Sequence, residues 1–161
     1  MLVIGAEAYG LAGNLFNRVK NFLTGRSQCV KLYNNVSPEK PVTSGVPQGS
    51  VLGPTLFLLF INDIVDNFHN LNVTAKLYAD DIKIYSCRST TEPNNDLSSA
   101  VLRLVEWSTK WQLNIATDKC FVFQIANNKN AMVTSYFFDN NNFKLVYYIR
   151  DLGVVVDTKL R

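Results

Sequence analysis

Hydrophobic residues near the start of the chain recur at helical spacing: Leu11, Leu15, Phe16, Val19 and the pair Phe22-Leu23. This spacing predicts a helix over residues 10–24, stopped by Gly25. Cys29 to Tyr33 alternates like a short strand. Residues 37–50, rich in Ser, Pro and Gly, read as a loop. Pro54 suits the first turn of a helix, because its missing N–H is not needed there. That helix runs to about Phe68, and Leu56 to Ile61 is apolar on nearly every side, which predicts burial all round. Two apolar strands follow, Val73 to Tyr78 and Ile82 to Tyr85, joined by Ala79-Asp80-Asp81. Leu97, Val101, Leu104, Val105 and Trp111 form an amphipathic stripe over residues 96–112, with Asn95 or Asp96 as N-cap. Trp107 and Trp111, one turn apart, read as core rather than as a base-stacking platform. Further strands are expected at Cys120 to Ile125, Lys144 to Ile149 and Leu152 to Asp157. Asn-rich turns are expected at Asn94-Asn95, Asn127 to Asn130 and Asn140 to Asn142. The order helix, strand, helix, hairpin, helix, strands predicts an α+β chain with a largely antiparallel sheet.

Composition adds bounds rather than a function. A chain of 161 residues fits one domain, and 47% hydrophobic content with 12% aromatics supports a core. A charged fraction of 18% is low for a free-standing globular protein, as when a neighbouring domain covers some surface, although ordinary variation reaches it too. The net charge of +3 does not by itself indicate nucleic acid. Its distribution says more. Residues 1–40 carry Arg18, Lys20, Arg26, Lys31 and Lys40 against Glu7 and Glu39, whereas residues 41–75 carry only Asp63 and Asp66. A basic stretch of this kind suits phosphates, with a solvated face as the default reading. Cys29, Cys87 and Cys120 are widely spaced, which argues against a zinc site or disulfide framework and for a reducing compartment. The single histidine, His69, removes His-based triads and reads as a surface residue. The longest apolar run, Pro54 to Ile61, is far short of the ~20 residues of a membrane-spanning helix. The start lacks the basic segment of a signal peptide, so an intracellular location is expected.

The strongest chemical feature is Asp80-Asp81 between two apolar strands. Adjacent carboxylates at the tip of a tight hairpin repel one another and gain from a neutralising cation. Mg²⁺ suits such a pair, because it takes oxygen ligands and is shared with substrate phosphates. The plain alternative is a turn, where aspartate is common because it hydrogen-bonds its own backbone.

Context narrows this choice. The run Val42-Thr43-Ser44-Gly45-Val46-Pro47-Gln48-Gly49-Ser50-Val51-Leu52-Gly53-Pro54, followed by Tyr78-Ala79-Asp80-Asp81, resembles reverse transcriptases of non-LTR (LINE-type) retrotransposons. Phe57-Leu58-Leu59-Phe60-Ile61-Asn62-Asp63-Ile64, Ala8-Tyr9-Gly10-Leu11 and Phe22 to Val30 are similar to the same family. So are Trp107, Trp111, Leu113-Asn114, Asp118-Lys119-Cys120 and Arg150-Asp151-Leu152-Gly153-Val154. The resemblance covers nearly the whole chain in the family's order, and Asn17-Arg18-Val19 departs from it where the family commonly has tryptophan and isoleucine.

The resemblance implies a partial palm, with an antiparallel sheet and a YxDD hairpin packed on helices. It implies RNA-directed DNA polymerase activity: two-metal transfer of dNTPs onto a primer 3′-hydroxyl, with RNA template, DNA primer and dNTPs as partners. Asp80 and Asp81 would be metal ligands for two Mg²⁺ ions, Asp80 directly and Asp81 secondarily. Pro47, Gln48, Gly49, Tyr78 and Ala79 would lie at the nucleotide and template, and Leu152 and Gly153 at the primer end. Lys119 would donate a proton to pyrophosphate, a surface lysine opening a strand being the alternative.

The family also has an earlier aromatic-x-x-aspartate motif, and no aspartate precedes residue 42 here. Residues 1–161 are therefore expected to lack the fingers, that motif and the thumb, to bind Mg²⁺ weakly and to be inactive alone. The competing readings are a non-catalytic retroelement remnant, inert or RNA-binding, and a metal-independent interaction domain.

Overall fold

The computed structural model describes residues 7, 9–87, 95–125, 136–138 and 141–160. Ala8, Asn94, Asn140 and the stretch Asn127 to Asn130 lie outside them. The chain divides into two compact units, Met1–Asp63 and Ile64–Arg161.

In the first unit, helix α1 spans Gly13–Leu23. It starts later than the spacing predicts because Gly10 takes φ 82°, which no right-handed turn continues through, and Gly13, at φ 59°, can only be its first residue. It ends where the Thr24 amide and hydroxyl both donate to the Lys20 carbonyl, at 2.9 and 2.8 Å. Helix α2 spans Leu52–Ile61, with Pro54 in its first turn. Val19, Leu23 and Leu56 form the core of this unit, and Leu11, Phe22, Val46 and Leu59 pack against it.

The expectation that α2 is buried all round is corrected. Gly53, Leu56, Phe60 and Ile61 are buried, while Leu52 and Leu58 are each 49% exposed. A helix apolar on every side carries no polar stripe to mark the side left open. The α-helix also stops at Ile61 and tightens into a 3₁₀ helix, Asn62–Phe68. There Asn67 Nδ2 donates to the Ile64 carbonyl, the kind of local bond that competes with helix geometry.

Between the helices, β1 (Ser27–Gln28) pairs with β4 (Lys40–Pro41), and β2 (Lys31–Leu32) with β3 (Asn35–Val36), both antiparallel. Of the strand expected over Cys29 to Tyr33 only Lys31–Leu32 forms, and β4 lies in a stretch expected to be loop.

In the second unit, β5 (Thr74–Tyr78) and β6 (Asp81–Tyr85) form an antiparallel hairpin. Helix α3 spans Asn95–Trp111, burying Ala100, Val101, Leu104 and Trp107. The Arg103 guanidinium donates to the carbonyls of Asn67 and His69 at 2.8 and 3.0 Å, fixing the end of the 3₁₀ helix. Asn95 and Asp96, the two expected N-caps, both lie inside the helix, and Asp96 accepts a bond from the Asn72 amide at 3.3 Å. Strand β7 (Phe121–Phe123) pairs in parallel with β10 (Lys144–Val146), β8 (Phe137–Phe138) pairs with β9 (Asn141–Asn142), and β11 (Tyr148–Asp151) pairs with β12 (Val154–Asp157).

The single largely antiparallel sheet is therefore corrected to six two-stranded pairs among the described residues, all antiparallel except β7 with β10. The apolar run Lys144 to Ile149 breaks at Tyr147, whose carbonyl accepts from the Thr158 amide at 3.1 Å, so its two halves join different partners. Leu152 and Gly153, expected within a strand, form the β11–β12 turn.

Candidate functional site

The acidic pair sits at the tip of the β5–β6 hairpin. Tyr78 pairs with Asp81, leaving Ala79-Asp80 as a two-residue loop. Ala79 takes φ 51°, at the position where such loops commonly place glycine. Side chains alternate along the two strands. Ala75, Leu77, Ile82 and Ile84 face one way and are half-buried. Thr74, Lys76, Tyr78, Asp81, Lys83 and Tyr85 face the other. Asp80 and Asp81 are exposed, and neither carboxylate makes an ion pair or hydrogen bond among the described residues.

Lys76 stands directly opposite Lys83, a like-charge pair that disfavours the ladder. Asp151 offsets it. The Lys83 ammonium lies 2.5 Å from one Asp151 carboxylate oxygen and donates to the other at 2.7 Å. Asp151 ends β11, immediately before Leu152 and Gly153, whose φ values of 46° and 90° suit a tight two-residue hairpin turn. One charged contact therefore ties the hairpin bearing Asp80-Asp81 to the hairpin bearing Leu152-Gly153.

Lys119 ends a short 3₁₀ helix, Thr117–Lys119, and is exposed. Its ammonium makes no ion pair with Asp80 or Asp81. The neighbouring Cys120 donates its thiol to the Ala116 carbonyl at 3.4 Å. Burial, and secondly the charge of Asp118, push this thiol above its ordinary range.

In the first unit, the segment around Gln48 is held from both sides. Arg26 donates from Nε to the Leu23 carbonyl at 3.1 Å and from its terminal nitrogen to the Gly45 carbonyl at 2.8 Å. The Ser50 hydroxyl donates to the Pro47 carbonyl at 2.6 Å and accepts from the Gly53 amide at 3.1 Å, acting as a cap two residues ahead of α2. Gly45 and Gly49 take φ 79° and 78°. A Cβ on Gly53 would lie 2.7 Å from Ser50 Oγ and 2.9 Å from the Pro47 carbonyl, so the turn closes only on glycine. Pro47 is half-buried, and Gln48 and Gly49 are exposed, with the Gln48 amide unengaged among the described residues.

Sequence reasoning missed Arg26, Ser50, Lys83 and Asp151. Ser50 stands three residues before an amide it caps, a readable local signal. Lys83 and Asp151 are 68 residues apart, which leaves no local signal.

Residues 12–149 match the family model described as reverse transcriptase (RNA-dependent DNA polymerase). The chain belongs to the reverse transcriptase family. The reverse transcriptase match stops before Leu152-Gly153. The chain is 30% identical over 155 residues to the RNA-directed DNA polymerase from mobile element jockey of Drosophila melanogaster, covering 91% of this chain. It is 36% identical over 117 residues to the jockey polymerase of Drosophila funebris, covering 68%. It is 32% identical over 116 residues to the probable RNA-directed DNA polymerase from transposon X-element of Drosophila melanogaster, also covering 68%. These relatives identify a reverse transcriptase of the non-LTR, LINE-type class. The chain spans only 16%, 13% and 13% of their respective lengths. No solved structure matches it.

Reverse transcriptases use divalent metal ions. Asp80 and Asp81 offer two adjacent, exposed, oxygen-only side chains, which fits part of such a site. Among the described residues, no three His, Cys, Asp or Glu side chains cluster to complete one. No helix among the described residues is long and apolar enough to cross a membrane.

Proposed function

We propose that residues 1–161 are a palm segment of an intracellular, nuclear or cytoplasmic, RNA-directed DNA polymerase of a non-LTR retrotransposon. The polymerase adds dNTPs to the 3′-hydroxyl of a DNA primer on an RNA template. The observation that carries this reading is the free acidic pair at the β5–β6 tip, in a chain of this family. Asp80 and Asp81 would hold Mg²⁺, whose chemistry is to activate the attacking hydroxyl and to offset charge on the departing oxygen. Phosphoryl transfer of this kind asks the protein mainly for positioning and charge.

The chain's own residues serve those needs. Gln48 presents an amide that both donates and accepts, suited to a base edge. Gly49 keeps its backbone bare for close approach, and Pro47 fixes the entry to that turn. Tyr78 and Ala79 frame the acidic tip. Lys119 carries a mobile ammonium suited to protonating pyrophosphate. Leu152-Gly153 hold the primer end, and Lys83–Asp151 keeps that turn in register with the acidic hairpin. The β5–β6 hairpin rests on helices in this reading. Fingers, the further metal-binding aspartate and thumb come from polypeptide outside residues 1–161 and cover the open apolar side of α2.

One observation favours a second reading, a non-catalytic remnant: the described residues gather no third carboxylate around Asp80-Asp81. A chimera separates the two. This chain replaces the matching stretch of the Drosophila melanogaster jockey polymerase, and dNTP incorporation is measured on a primed RNA template with Mg²⁺. Incorporation supports the polymerase segment; a folded but inactive chimera supports the remnant. The chain by itself is expected to incorporate nothing.

A further inference from the structure

The β1–β4 hairpin buries none of its own large apolar side chains. Every residue from Ser27 to Pro41 is exposed, with Val30 at 72%, Leu32 at 65% and Tyr33 at 88%. Its two strands nevertheless pair both at the base, where the Val42 amide donates to the Arg26 carbonyl at 2.9 Å, and at the Leu32–Asn35 pair beside the tip. Ser37-Pro38-Glu39 stand opposite Cys29-Val30, a one-residue bulge pinned by the Val30 amide donating to Ser37 Oγ at 2.9 Å. At about 3.3 Å per residue, each strand carries the tip roughly 17–20 Å from the base. Two strands that bury no core are at best marginally stable in water. A projecting hairpin with an apolar, aromatic tip is a surface built to be covered.

The tip residue is the sharpest clue. Tyr33 takes φ 54° in a two-residue loop, a place that commonly falls to glycine. A tyrosine there costs about 1–2 kcal/mol of backbone strain, and the residue is 88% exposed. The charge is one-sided as well. Arg26 is engaged with the Leu23 and Gly45 carbonyls, and Glu39 with the Ser27 hydroxyl at 3.0 Å. Lys31 and Lys40, one on each strand, have no polar partner among the described residues.

We infer that the hairpin of residues 26–42 is a single-stranded RNA-binding arm. Tyr33 stacks on an unpaired base, and Lys31 and Lys40 meet the flanking phosphates. An exposed ring recognises a base only when that base is unpaired, which selects single strands over duplex. The preference for RNA over DNA rests on the polymerase reading above; the arm itself does not.

The test is fluorescence anisotropy of this chain with a short, unstructured, labelled RNA at low salt. Tyr33→Gly is the informative variant, because glycine suits the backbone better than tyrosine and keeps or raises the melting temperature. It should weaken binding by roughly 5- to 150-fold, the range of one base–aromatic stack, and Tyr33→Trp should retain it. Lys31→Ala with Lys40→Ala should flatten the slope of log affinity against log salt by about 1.4. The anisotropy readout requires no dNTP incorporation, so a failed polymerase reading leaves this result readable. Parent affinity in Tyr33→Gly, equal affinity for fully duplex RNA, or tighter binding to the same sequence as DNA overturns the proposal.

Discussion

Asp80 owes its exposure to Ala79, which accepts φ 51° so that the loop can close in two residues. Replacing Ala79 with glycine should relieve about 1 kcal/mol of left-handed strain and raise the melting temperature slightly. A fall in that temperature would show that Ala79 is not strained. Gly53 is the converse case. In Gly53→Ala the new methyl meets Ser50 Oγ at 2.7 Å and the Pro47 carbonyl at 2.9 Å, so a loss of about 1–3 kcal/mol is expected in urea unfolding. Cys120 makes a pH prediction. Its raised thiol favours the protonated form in the folded chain, so the small stability it adds holds below the ordinary thiol range. That increment is lost as pH climbs through the raised value. Alkylation near pH 8 should therefore label the exposed Cys29 and Cys87 before Cys120. At this scale the placing of Asp80-Asp81 at a hairpin tip was legible, because two apolar strands flank it in sequence. Arg26 was not, since its partner carbonyl at Gly45 lies 19 residues away.

Among the elements, the Lys83–Asp151 contact joins two hairpins that sequence reads as separate. The ion pair is partly solvated, with side-chain exposures of 42% and 31%, so its direct contribution is modest. A double-mutant cycle with Lys83→Ala and Asp151→Ala should give a coupling of about 0.5–1 kcal/mol that shrinks in high salt. Zero coupling would leave the opposed Lys76 and Lys83 without relief and remove the proposed link between the hairpins. The helices were legible because their apolar spacing is long and regular. The strands were less so. Lys144 to Ile149 is apolar without interruption after its first residue, and only the bond from Thr158 to the Tyr147 carbonyl reveals that the run serves two ladders. The end of α2 was missed for a related reason: apolar periodicity continues past Ile61, while Asn62, Asp63, Asp66 and Asn67 favour the tighter 3₁₀ turn.

At the scale of the whole molecule, the reverse transcriptase family was visible in the order of motifs along the chain and is carried by the match over residues 12–149. Which apolar surfaces stay open was not visible. Leu52 and Leu58 are each 49% exposed on a helix without a polar side, in a chain spanning 16% of its jockey relative. The proposed function rests on Asp80 and Asp81 acting as catalytic metal ligands. Single-turnover incorporation of one dNTP by the jockey chimera tests it most directly, comparing the parent with Asp80→Asn on the same primed RNA. Loss of a metal ligand removes several kcal/mol of transition-state stabilisation, so the rate should fall by about a thousandfold or more while RNA affinity stays unchanged. A rate within a few-fold of the parent would contradict the assignment of Asp80 as a catalytic metal ligand.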